Sequence, residues 1–363
     1  KRTGEKRLND LNIKWKDFYK NVFALVVPMA LQNLINVGVT AADVVMLGKV
    51  SEKVLSGASL AGQIQYIMVL FLFGLTSGAT VLTAQYWGKG DKTAIEKILA
   101  LGIRSAVIIT AIFTIAAFTI PASLMRIFTN DPQVIAEGVK YLRIVACSYI
   151  IMGITNVYLY VMRSIERVIV ATVVYLASFL CNVVFNAIFI FGLFGFPALG
   201  IRGAAIATLI ARIMELVLVC GYAKIYNKDV KFRVHYFLHQ DKLLVRDFLV
   251  YSLPVVLNEV MWGLGTSANT AVLGHMGSSA VAANSVAQVA RQLATVVSFG
   301  LSSATAIYLG KTIGERKFDH ARAYAKRFII LSVVMGVIGG GLILIASPFV
   351  ISFLSFVATA RYY

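Results

Sequence analysis

The sequence predicts an all-α polytopic membrane protein built from two parallel six-helix repeats, the second incomplete. Three observations predict it. Of 363 residues, 59% are hydrophobic and only 14% charged, whereas water-soluble domains run at about half apolar and about a quarter charged. The apolar residues fall in runs of the roughly 20 needed for a helix to cross about 30 Å of hydrocarbon. The chain also matches itself without a gap when shifted by 226 positions, which carries Pro28 onto Pro254. Such a composition excludes an ordinary soluble enzyme, because a folded surface could not expose so much apolar area. Three cysteines exclude a disulfide-stapled scaffold, and the runs are too long for the alternating strands of a membrane barrel.

Spans are expected at 22–48, 55–87, 98–120, 141–161, 168–194, 201–225, 247–273, 280–309 and 328–346, with 347–363 approaching a tenth. They divide the chain into an N-terminal arm (1–21), a first lobe (22–226), a short linker (227–243) and a partial second lobe (244–363). The first span follows a basic segment, as a signal peptide would. Its length, the internal Asp43 and the lack of a small-residue cleavage site argue against one.

A net charge of +17 raises the question of nucleic acid. Placement answers it. Most of the 34 basic residues sit in the arm and in every second loop, as with Lys89, Lys92, Arg163, Arg167, Lys228, Lys231, Lys311 and Arg316. By the positive-inside rule this puts the N-terminus in the cytoplasm of a multi-pass plasma (inner) membrane protein. Nucleic acid would need one basic face interleaved with stacking aromatics, which dispersed loops do not offer.

The self-match has order. Leu31 falls on Leu257, Ala42 on Ala268, Leu47-Gly48 on Leu273-Gly274, Phe73-Gly74-Leu75 on Phe299-Gly300-Leu301, and Gly88 on Gly314. Generic apolar similarity explains the Leu and Ala matches but not the Pro and Gly in register. The shift spans six helices, an even number, so both copies share one orientation and are related by an axis along the membrane normal. That design places a substrate cavity between the halves. Six spans in the first copy against three and a fragment in the second predict a piece of a twelve-span protein.

Charged groups inside spans cost a few kcal/mol and are functional candidates by default. Arg212 and Glu215, three apart, are expected to pair. Arg291 has no local acid and is expected to face the cavity or the vestibule. Asp43 and Glu259 have no cation at helical spacing, and a buried unpaired carboxylate takes up a proton or demands a bound cation. Under the repeat Asp43 aligns with Asn269, and Glu259 with Asn33. Around them lies an amide and hydroxyl set, Gln32, Asn33, Asn36, Asn156, Asn182, Asn186, Thr208 and Asn258. These groups suit a wet cavity or a cation site, or else helix–helix hydrogen bonding. Asn33, Asn36, Gln32, Asn258 and Arg291 are expected to line the substrate cavity. Pro28 and Pro254 are expected to kink their helices as matched hinges or as packing irregularities. Gly74-x-x-x-Gly78 and Gly336-x-x-x-Gly340 read as close-packing sites.

Enzyme chemistry is not encoded. Leu309-Gly310-Lys311-Thr312 lacks the upstream glycine of a phosphate loop, since that position is Thr305. His235 and His239 lack further zinc ligands. No cofactor is expected beyond Na⁺ or H⁺ as a coupling ion, with Na⁺ possible at Asp43.

The segment Thr40-Ala41-Ala42-Asp43-Val44-Val45-Met46-Leu47-Gly48 resembles the first helix of the multidrug and toxic compound extrusion (MATE) family. Leu253-Pro254-Val255-Val256-Leu257-Asn258-Glu259 is similar to that family's seventh helix with its membrane acid, and Gly88-Lys89-Gly90-Asp91 looks like the family's turn after helix two. The resemblance implies a twelve-helix bundle of two lobes that open alternately. It implies a Na⁺- or H⁺-driven antiporter exporting cationic or amphipathic small molecules, working in the lipid bilayer as a monomer. Carried over by position, Asp43 is the first-lobe acid for the coupling ion, with Asn156, Asn182 and Thr208 as its hydrogen-bonding neighbours. Asn186 stands where the family often has a second acid. Glu259 is the second-lobe acid, and Pro28 resembles the family's bend. The alternative is a flippase of lipid or lipid-linked oligosaccharide from the same wider superfamily, which needs a strongly cationic cavity.

Overall fold

The computed structural model describes residues 13–238, 241–276 and 278–359, and all regular structure among them is helical. The first bundle holds α1 (Trp15–Gly48), α2 (Glu52–Lys89), α3 (Lys92–Thr119), the short α4 (Pro121–Arg126), α5 (Pro132–Ala146), α6 (Tyr149–Ser164), α7 (Val168–Phe191) and α8 (Ile201–Ile225). A one-turn α9 (Val234–Leu238) lies in the linker, followed by α10 (Lys242–Met276), α11 (Ser278–Gly314) and α12 (Phe318–Thr359). Among the described residues eight helices are long and apolar enough to cross a membrane, and α5 with α6 makes a ninth, bent by 52°. This is an integral membrane protein.

Two expectations about the spans are corrected. The fourth span is not one helix over 141–161: it begins at Pro132 and breaks at Cys147–Ser148. There the Ser148 amide donates to the Val145 carbonyl at 2.8 Å and its hydroxyl donates to the same oxygen at 2.6 Å, tightening the turn. Residues 347–359 do not approach a tenth span but prolong α12, since nothing between Phe349 and Thr359 is a Gly, Asn or Asp that would end a helix.

Helix ends are set locally. Ser51 caps α2 by accepting from the Val54 amide at 3.1 Å, and Asp91 caps α3 by accepting from Ala94 at 3.0 Å. The α2 helix leaves through Gly90 in the left-handed conformation, φ 77°, and α11 leaves through Arg316 at φ 60°. Positions 90 and 316 are equivalent under the 226 shift, so both copies use one exit geometry. The same shift carries the first residues of α2 and α3, Glu52 and Lys92, onto those of α11 and α12, Ser278 and Phe318.

The repeat also governs how the copies meet. In lipid no hydrophobic effect drives helices together, so contact depends on van der Waals packing, and small residues let backbones approach. A Cβ on Gly74 of α2 would lie 2.5 Å from the Val256 Cα of α10, and one on Gly300 of α11 would lie 3.0 Å from the Ala30 nitrogen of α1. Gly300 is Gly74 shifted by 226, and Val256 is Ala30 shifted likewise. A Cβ on Gly88 would meet the Lys311 carbonyl at 2.1 Å, and its counterpart on Gly314 would meet the Gln85 carbonyl at 2.0 Å. Gly310 faces its own equivalent, Ala84, at 2.8 Å. The seam is thus a pseudo-two-fold contact, and the glycines in register in the sequence are its crossing points. Gly78 belongs to it, against Ser252. Gly336 and Gly340 do not: a Cβ at either would meet no described residue of another helix within 4 Å, so among the described residues they make no close-packing site.

The loops rich in Lys and Arg gather on one face. Asp229 accepts from Lys92 at 2.9 Å and from Arg167 at 3.0 Å, and these two donors hold its carboxyl below the usual carboxylate range. Glu96 receives Arg233 at 2.8 Å and the Lys231 amide at 3.0 Å, which fastens the linker to the first bundle. Lys53 and Asp131 pair on the opposite face.

Candidate functional site

Inside the first bundle the polar residues form a hydrogen-bonded chain across three helices. Asn186 of α7 donates its amide to the Asp43 carboxylate of α1 at 2.5 Å and to the Asn182 oxygen, one turn earlier, at 3.0 Å. Asn182 in turn donates to the Thr208 hydroxyl of α8 at 3.4 Å. Both amides are buried, with Asn186 fully inaccessible. The reason they converge is periodicity. Residues 182 and 186 lie four apart and share one face of α7, while 208, 212 and 215 share one face of α8.

Tyr141 of α5 borders the chain, close enough to Thr208 and Asp43 to interact with both. Sequence reasoning missed it, because a tyrosine entering an apolar span looks like any packing or interfacial aromatic.

The ion pair expected between Arg212 and Glu215 is present, at 2.7 Å. Its guanidinium also acts electrostatically on Asp43, Tyr141 and Tyr175. Two buried acceptors in this region have no hydrogen-bond partner, the Asn186 Oδ1 and the Glu215 Oε2. A carboxylate, an amide oxygen free to accept, further amides and a hydroxyl make an oxygen-rich set of the kind that suits a hard monovalent cation or a proton.

Other residues lie elsewhere. Asn156 is not joined to Asp43: its oxygen accepts from Tyr175 at 3.2 Å, and Tyr175 accepts from Arg163 at 3.1 Å, a separate chain between α6 and α7. Gln32 does not line a cavity. It is 1% exposed and donates to the Val168 carbonyl at 3.0 Å and the Thr172 hydroxyl at 2.7 Å, which ties α1 to α7. Its face of α1 points into the bundle, where the amide nitrogen is bonded while Oε1 has no partner among the described residues. Asn33 reaches across the seam to the Val296 carbonyl of α11 at 3.5 Å, and Asn36 is exposed.

In α10, Glu259 is half-buried beside an exposed Asn258. Pro28 and Pro254 both sit within unbroken helices, and the Pro28 carbonyl accepts from the Thr172 hydroxyl at 3.4 Å. Arg291 belongs to α11, but its side chain lies outside the described residues.

The family model MatE matches residues 28–188 and 254–358, more than half of the chain in two blocks. The chain belongs to the MatE family. Its two blocks open at Pro28 and Pro254, the positions that the internal shift superposes. Among curated proteins this MatE chain is 23% identical to "Probable multidrug resistance protein NorM" of Agrobacterium fabrum, over 92% of the chain and 72% of that protein. Two solved structures share the fold. One is a MOP superfamily transporter from Pyrococcus furiosus for which a reversed binding-pocket polarity is said to suggest a different function. It has TM-score 0.83 and 20% identity over 91% of this chain and 73% of that one. The other is a MATE protein in the bent conformation, with TM-score 0.83 and 19% identity over 93% and 75%. The MatE chain thus spans about three quarters of the length of each.

Proposed function

We propose that this MatE protein is a secondary antiporter that exports cationic amphipathic compounds in exchange for Na⁺ or H⁺, by alternating access. It would work in the plasma membrane with its N-terminus and basic loops in the cytoplasm. The observation that carries the reading is Asp43, an acid at membrane depth that accepts from Asn186 of α7, at the end of a chain running through Asn182 to the Thr208 hydroxyl of α8, beside an acceptor without a donor. A carboxylate so placed gains by neutralisation, which a coupling ion supplies and a purely structural group would not need. Separating the acids between the repeats, Asp43 in one and Glu259 in the other, supports one lobe for the ion and a half-buried acid facing cationic substrate. Multidrug resistance names among the relatives support the substrate class.

A flippase would need free cationic groups for a phosphate head. Arg212 is held by Glu215, which weighs against that reading. The test is dye efflux from pump-deficient cells expressing the full-length protein, with the Na⁺ and proton gradients imposed separately. Efflux driven by one gradient and lost in Asp43→Asn is the expected result. Efflux indifferent to both gradients, or unchanged in Asp43→Asn, would sink the proposal.

A further inference from the structure

On the basic face, the first bundle and the second unit are joined by more than the seam. Lys311 of α11 donates to both carboxylate oxygens of Glu166, at 2.9 and 2.7 Å, and the Trp87 indole approaches the same carboxylate at 3.5 Å. Glu166 lies in the turn between α6 and α7 with φ 65°, a left-handed position that glycine occupies with less strain. A glutamate there is accounted for by what its side chain reaches. Next to it Arg167 is engaged by Asp229, so it does not compete for Glu166.

A second contact lies on the same face. Phe18 of α1 stacks on Tyr324 of α12 at 4.9 Å and packs edge-on against Tyr308 of α11 at 5.4 Å, while Arg327 sits over the Trp15 ring at 4.6 Å. Phe18 is 2% exposed as a result. The described crossings of the seam run from Leu70–Gly263 near mid-helix to Gly88–Lys311 at the helix ends, on this side.

We propose that the Glu166–Lys311 pair is a lock between the lobes that holds the basic face closed, with the Trp15–Phe18–Tyr324 cluster as its apolar companion, and that transport requires both to part. The idea takes its purpose from the exporter reading and its geometry from these contacts. Under the repeat the counterpart of Lys311 is Gln85, which carries no charge, so the lock belongs to one side of the pseudo-axis. Opening the face therefore breaks one ion pair and one aromatic cluster and draws apart the helix-end crossings at Gly88, Gly310 and Gly314, while the crossings near mid-helix can stay as the pivot.

Spin labels test this in the full-length protein in lipid nanodiscs. Lys228→Cys marks the first bundle and Lys326→Cys the second unit, both exposed, with Cys147, Cys181 and Cys220 replaced by alanine. Pulsed dipolar distances in the native sequence should show mainly a short separation. Glu166→Gln should raise the ratio of long to short distances about five-fold, equivalent to about 1 kcal/mol for a part-exposed pair. Exchanging the charges, Glu166→Lys with Lys311→Glu, should restore the native distribution. If Glu166→Gln does not fold, Glu166→Gly removes the carboxylate and relieves the backbone. A distribution unchanged in whichever neutral variant folds overturns the lock, as does failure of a folded charge exchange to restore it. Efflux plays no part in this readout, so failure of the exporter reading leaves these distances to decide separately.

Discussion

Gly74→Ala is the sharpest test of the seam. A methyl group at residue 74 would start 2.5 Å from the Val256 Cα, and ordinary contact begins at 3.4 Å. Because the obstacle is backbone, no rotamer change relieves it, and α2 and α10 must separate by about 0.9 Å at that point. Gaps of 0.5–1 Å forfeit roughly a quarter to a half of each dispersion contact they open, and overpacking of this kind costs about 1–3 kcal/mol. Alanine's better helix propensity returns about 1 kcal/mol. Gly336→Ala separates the two effects, since among the described residues nothing of another helix lies within 4 Å of a Cβ at 336 and propensity alone acts there. The difference between the variants is then the seam alone, about 1–3 kcal/mol. Melting in detergent, followed by fluorescence-detected size exclusion, should place Gly74→Ala below Gly336→Ala by roughly 2–4 °C per kcal/mol. If Gly74→Ala melts as high as Gly336→Ala, the helices do not cross at residue 74 and the pseudo-two-fold argument fails.

Removing one partner of the Arg212–Glu215 pair should hurt more than removing both. Arg212→Gln leaves Glu215, 2% exposed, without its counter-charge and should destabilise by about 3–5 kcal/mol, whereas Arg212→Leu with Glu215→Leu should recover most of it in the same melting assay. Contact with Asp43 should rank the amides. Asn186→Leu removes a hydrogen bond to a charged group, about 1.5–3 kcal/mol or more than tenfold in efflux, while Asn156→Leu, which bonds only Tyr175 in this network, should cost much less. The opposite order would show that proximity to Asp43 is not what matters. The linker should respond to acid. The folded pKa of Asp229 is depressed, so its stabilisation is complete above the unfolded value of about 3.9 and is lost as pH falls through the folded one. Hydrogen exchange of residues 226–233, corrected for intrinsic rates, should stay slow at about pH 4.5 and quicken near pH 3. Loosening already between about pH 6 and 5 would assign the docking to other groups.

Much of the architecture was legible because it rests on composition and period. Span positions follow from apolar run length. Glycines matched at 74 and 300, and at 88 and 314, announced the repeat, while their place as crossings between the copies came only with the structure. Pairing of Arg212 with Glu215 followed from a spacing of three. What was hidden depends on facing. Gln32 and Asn186 are both amides on apolar helices, and nothing local says that one ties α1 to α7 while the other holds Asp43. Asn156 belongs to the Tyr175 chain of α6 and α7, and the bend at Cys147–Ser148 that precedes α6 has no proline to announce it. Tyr141 and the Glu166–Lys311 pair are invisible for a similar reason, since each joins residues from turns or helices far apart in the chain.

At the pseudo-axis, Gly310 and Ala84 impose a limit of a different sort. An isologous interface makes the residue on its axis oppose its own twin. Whatever volume one copy adds there, the other must give up. With Ala84 in place, a second methyl group at 310 would sit 2.8 Å from the first. The axis therefore holds one methyl in total, and at this point the two halves are answerable each to its own equivalent.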